Sequence, residues 1–141
     1  MKSKKKIDSN NSYVSYFDVG SLDKTPQNLQ HQFLNSYTSK INGHLHFYTN
    51  EDFNSLDSQI VMRSKINEKL NIKGFVFYSM FQLCYGKAPN LDLIEEAIKL
   101  KYEIHFAIEG LVVNSKNSLD TFREILLIYY KINKQNLTLK N

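Results

Sequence analysis

The sequence predicts an α/β fold: one three-layer domain with helices on both faces of a mainly parallel sheet of four to five strands, in the order 2-1-3-4. Three observations lead there. Short runs of β-branched and aromatic residues alternate with longer amphipathic stretches along the chain, the pattern of successive βα units. The run Gly74–Ser79 is apolar almost throughout, as expected of a strand covered on both faces. The length of 141 residues, with 42% hydrophobic and 23% charged residues, matches one ordinary globular domain.

The elements follow in order. Residues 1–11, rich in Lys, Ser and Asn, read as a disordered basic tail, and residues 135–141 as a flexible C-terminal one, leaving 12–134 for the domain. Tyr13–Val19 is the first strand, closed by Gly20. Thr25-Pro26 marks a helix start, with Thr as cap and Pro in the first turn. That helix runs to about Ile41 and turns Leu29, Phe33, Tyr37 and Ile41 inward, before Asn42-Gly43 stops it. His44–Tyr48 is strand two, and a helix capped by Asn54 or Ser55 runs to about Leu70.

Gly74–Ser79 is strand three, and Phe81–Pro89, which includes Cys84, Gly86 and Lys87, reads as the longest irregular loop. Asn90 starts a helix with Leu91, Ile94, Ala97 and Ile98 inward. Glu103–Ile108 is strand four, and Leu111-Val112-Val113 either continues it or forms a short edge strand after a kink at Gly110. Ser118 opens the last helix, through about Ile132, with Phe122, Ile125, Leu126, Tyr129 and Tyr130 on a broad apolar face.

Composition narrows the function classes. The net charge of +4 is a property of the ends: residues 1–11 hold four Lys and one Asp, and residues 131–141 hold three Lys and no acid. Residues 12–130 hold 11 basic and 13 acidic residues. The body is mildly acidic, which argues against a nucleic-acid-binding face. The single Cys84 excludes an internal disulfide framework. The basic start Met1–Lys6 has no apolar segment after it and no stretch is long enough to span a membrane, so a cytoplasmic location is expected. His31, His44, His46 and His105 lack metal-site spacing, so no metal is expected, and no motif names a cofactor.

Ligands of open α/β sheets bind beyond the carboxyl ends of the strands, where the strand order reverses. Strand three ends at Ser79 and strand four at Glu109. Glu109, a carboxylate closing an apolar strand, is either a cap or ion-pair partner or a functional group. Ser79 lacks a nucleophile elbow and reads as a hydrogen-bonding group toward a ligand. Glu51 stands at the end of strand two, in what also reads as an ordinary polar turn. Tyr78 and Phe81 can flank a sugar or base, or be core. Gln27 and Gln30 lie in the first helical turns, which the 2-1-3-4 order brings toward Ser79 and Phe81. His105 is either a packed, hydrogen-bonded core residue or a partner to Glu109 through strand alternation.

Pro26-Gln27-Asn28-Leu29-Gln30, Phe77-Tyr78-Ser79-Met80-Phe81 and His105-Phe106-Ala107-Ile108-Glu109-Gly110-Leu111 together resemble the small bacterial "sporadic carbohydrate cluster" proteins, found among genes for surface-polysaccharide synthesis. The likeness spans roughly Tyr13 to Val113. It implies work on carbohydrate or nucleotide-sugar metabolites, and Gln27, Gln30, Glu51, Ser79, Phe81, His105 and Glu109 fall on its positions. The arginine expected in the loop after strand one is absent here. More distantly, the pattern resembles the resolvase-like catalytic domain of serine recombinases and, in fold, flavodoxin. The recombinase chemistry needs a serine after strand one and several arginines, whereas this chain has only Arg63 and Arg123, and no DNA-binding extension is expected after Asn141.

The expectation is therefore a protein that binds or transforms a sugar-derived metabolite at the carboxyl edge of its sheet, with Glu109, Ser79 and His105 as catalytic candidates. The alternatives are a non-catalytic, homodimeric scaffold of the same pathway and a degenerate recombinase-like DNA binder acting through its lysine tails.

Overall fold

The computed structural model describes residues 11–19, 24–49, 72–83 and 91–139. The expected helix 54–70, Glu51 and the loop residues 84–90, Cys84 among them, lie outside these. The elements run β1 (Ser12–Tyr16), α1 (Gln27–Lys40), β2 (His44–Thr49), β3 (Gly74–Phe77), a 3₁₀ turn (Met80–Leu83), α2 (Asp92–Lys99), β4 (Glu103–Phe106), β5 (Leu111–Val113) and α3 (Lys116–Leu139). The chain is mixed α/β around a mainly parallel sheet. Its hydrogen-bonded order is β2-β1-β3-β4-β5, parallel except for the antiparallel β4–β5 pair.

Alternation sorts the strand residues into two apolar clusters. Val14, Tyr16, Phe75, Phe77, Ile104 and Phe106 join Ile94, Ala97 and Ile98 of α2 and Leu119, Phe122 and Leu126 of α3. Tyr13, Val76 and Ala107 join Leu34 of α1. Tyr16, Phe75, Phe77 and Phe106 are fully buried, a contribution of about 1.5–3 kcal/mol each. Phe77 stacks on Tyr16 at 4.9 Å, and Phe106 on Phe122 at 4.6 Å. β3 and β4 pair closely at their first residues: a Cβ on Gly74 would run into the Glu103 carbonyl, so no larger residue fits there.

Several local expectations are corrected. α1 buries Gln30, Leu34 and Thr38, not the stripe of Leu29 and Phe33, which are 49% and 40% exposed. The helix is rotated by one residue because the Gln30 amide reaches the backbone after β1. Its Oε1 accepts from Asp18 N at 2.6 Å, while Nε2 donates to Asp18 O and Thr25 O, each at 3.0 Å. Thr25 does not cap α1: Pro26 occupies the N-cap position, without a side-chain cap.

Strand four ends at Phe106, and Ala107–Gly110 form a turn into the antiparallel β5. Gly110, at φ 66°, supplies the left-handed residue that this turn requires. The last helix starts two residues earlier than expected, because Ser115 and Ser118 cap each other. Ser118 N donates to Ser115 Oγ at 3.2 Å, and Ser115 N to Ser118 Oγ at 3.0 Å, a reciprocal capping box. The helix also continues to Leu139, through residues expected as tail.

Candidate functional site

The carboxyl ends of β3 and β4 bring Ser79 and Glu109 together. Main-chain pairing continues past both strands: Ala107 N donates to Phe77 O at 2.9 Å, and Ile108 N to Tyr78 O at 3.0 Å. This registers the two exits, so that Ser79 Oγ donates to Glu109 Oε2 at 2.7 Å. Met80 N donates to Glu109 Oε1 at 3.0 Å, and Phe81 N to Ser79 Oγ at 3.2 Å. The first turn of the 3₁₀ segment thus wraps the carboxylate in one hydroxyl and one amide donor. Ser79 is buried and Glu109 half-buried. A carboxylate has about four acceptor positions, so Glu109 retains capacity for donors from a ligand. Phe81, whose N–H bonds Ser79, is half-buried, packs against the core and stacks its ring on Tyr129 of α3 at 4.2 Å.

The chain just after β1 also reaches this turn. Gln82 ties it to the Ser79 turn: its Oε1 accepts from Ser79 N at 3.1 Å, and its Nε2 donates to Phe17 O at 3.4 Å. Gln30 holds the next residue, Asp18, which is 2% exposed. Gln82 and Asp18 were missed by sequence reasoning. Gln82 lay in a stretch read as irregular loop, and its only signal was its place three residues after Ser79. Asp18 sat inside an over-extended strand.

The other candidates go elsewhere. Gln30 is fully buried, and its amide serves the backbone, leaving it no part in contacting a ligand. Gln27 is exposed and lines a shallow cleft of about 340 Å³ with Asn28, His31 and Tyr48. There the Tyr48 hydroxyl donates to Gln27 O at 3.0 Å, and burial pushes its pKa up to about 12. Tyr78 packs edge-on against Phe33, with ring centres 5.8 Å apart.

His105 is not a partner of Glu109. Its Nδ1 lies 2.8 Å from the Tyr37 hydroxyl and its Nε2 3.0 Å from Glu103 Oε1, the oxygen that also accepts from Tyr13 at 3.1 Å. The alternation that would align His105 with Glu109 stops at Phe106, and the turn carries Glu109 away from His105 toward Ser79. Burial, with the Glu103 charge second, raises the pKa of both Tyr13 and Tyr37. This polar group is a structural network joining β1, α1 and β4, 4% exposed at His105 and half-buried at Tyr37 and Glu103.

Among the described residues, no group of three His, Cys, Asp or Glu side chains is placed to hold a metal ion. No helix among them is long and apolar enough to cross a membrane. The Glu109 carboxylate beside Ser79 can accept further hydroxyl donors. As a nucleophile, Ser79 would have a carboxylate and no imidazole beside it. No protein-family model, no curated protein and no solved structure matches this chain.

Proposed function

We propose that this protein binds a sugar-derived metabolite of surface-polysaccharide or nucleotide-sugar biosynthesis, in the bacterial cytoplasm, at the carboxyl edge of a three-layer, doubly wound domain. The observation that carries the reading is the 2.7 Å Ser79–Glu109 hydrogen bond at the ends of two adjacent parallel strands. Glu109 accepts hydroxyl groups of the ligand, and Ser79 holds the carboxylate in place. Phe81, backed by Tyr129, covers the apolar face of a sugar ring. Binding is the core of the proposal; transformation of the ligand would use Glu109 as acid or base. The sugar class comes from the motif resemblance, and the site from the geometry.

Thermal unfolding of the purified protein against nucleotide sugars, free sugars and sugar phosphates tests this. A ligand at a hundred times its dissociation constant adds about 2.7 kcal/mol of stability. A stabilising ligand whose effect is abolished in Glu109→Gln supports the site; a stabilising ligand that acts equally on that variant sinks it.

A second reading, a homodimeric scaffold of the same pathway, is favoured by Leu127 and Ile128 of α3, which are 50% and 59% exposed. A concentration-dependent dimer in sedimentation that Leu127→Lys/Ile128→Lys dissociates would support it; a monomer at all concentrations would remove it.

A further inference from the structure

At the edge of the sheet opposite Ser79 and Glu109, where α2 leads into β4 and β5 into α3, lies a cleft of about 360 Å³. Its lining includes four cations, Lys99, Lys101, Lys116 and Arg123, and two carboxylates, Glu95 and Asp120. Both carboxylates are turned toward the same cation: Arg123 lies 3.8 Å from Glu95 and 3.7 Å from Asp120. The three lysines have no carboxylate of the lining beside them, and with four cations against two carboxylates the lining carries a net charge of +2. They stand out against a body in which acids outnumber bases.

The attraction is a side-chain property. Asn114 N and Ser115 N of the loop donate to Ser118 Oγ, each at 3.0 Å, and Ser118 N donates to Ser115 Oγ. Those amides are engaged within the loop itself. Lys101 adds a second observation. It occupies the left-handed position that ends α2, at φ 75°, with Lys101 N donating to Ile98 O and Tyr102 N to Ala97 O, each at 3.0 Å. Glycine is the residue that this Schellman turn favours, and a side chain there is strained. This chain spends that strain on a lysine bordering the cleft.

We propose that the cleft binds a small polyanion of the diphosphate class through Lys99, Lys101 and Lys116. Its volume suits a small ligand better than an extended polymer, and three clustered ammonium groups match the charge of a diphosphate. The inference is independent of the sugar site at the other edge.

The test is calorimetric titration of the full chain with inorganic pyrophosphate at low ionic strength, with amide shifts mapped by NMR. The expected result is saturable one-to-one binding that shifts residues 99–102 and 114–118. Lys101→Gly/Lys116→Ala weakens it at least tenfold, while Lys101→Gly alone raises the melting temperature by relieving the turn, so lost binding is not lost folding. Lys24→Ala/Lys40→Ala removes the same charge at exposed positions elsewhere and should leave binding within twofold. Equal weakening by both pairs, or no saturable binding by the unmodified chain, overturns the proposal.

Discussion

The Ser79 hydroxyl donates to Glu109 and accepts from the Phe81 amide, so one small side chain joins two strand exits and the start of the 3₁₀ turn. Ser79→Ala should cost about 1–2 kcal/mol in urea unfolding. A double-mutant cycle with Glu109→Gln should return a coupling of about 1 kcal/mol; strictly additive losses would mean that the bond does not hold the exits together. Gln30→Leu leaves Asp18 N–H and the Asp18 and Thr25 carbonyls without their side-chain partner. It should cost about 2–4 kcal/mol, although the sequence reads the residue as a ligand-facing glutamine of the first helical turns. Glu109 and Ser79 were legible in the sequence because an apolar run ending in a polar residue marks a strand exit. The partner of His105 was not: parity along a strand predicts a shared face only while the strand lasts, and β4 lasts four residues.

Among the elements, α1 shows most clearly why a pattern can point partly the wrong way. Of the apolar stripe Leu29, Phe33, Tyr37 and Ile41, the C-terminal pair packs partly buried against the core, while Leu29 and Phe33 are exposed and the fully buried line is one residue over, at Gln30, Leu34 and Thr38. The hydrogen bonds of one buried amide to the β1 loop fix the helix rotation, and no hydrophobic count registers them. Leu34→Ala should therefore destabilise by about 2–5 kcal/mol and Phe33→Ala by less than about 1 kcal/mol; the reverse order in denaturant titrations would restore the expected stripe. The mixed α/β architecture and the helix following β4 and β5 were legible from periodicity. The 3₁₀ turn at Met80–Leu83 was not, because its sequence carries aromatic and amide residues without a turn signature.

For the molecule as a whole, three buried or half-buried tyrosines predict an alkaline limit. Tyr13 and Tyr37 are shifted upward and Tyr48 is pushed up to about 12, while in the unfolded chain each ionises near 10. The unfolded state thus loses these protons first. Stability is full below about pH 10 and falls as pH rises through the window up to the folded values. The urea midpoint should be lower at pH 11 than at pH 8, and Tyr48→Phe should flatten part of the fall; a midpoint unchanged across that range would contradict these environments.

A ligand held by Ser79 and Glu109 at the carboxyl edge of the sheet should be visible in an amide NMR map of the full chain titrated with members of the nucleotide-sugar and sugar-phosphate panel. Saturable shifts centred on residues 79–82 and 108–110, lost in Glu109→Gln, are the expected result. Shifts centred elsewhere, or the same shifts in that variant, would contradict this site.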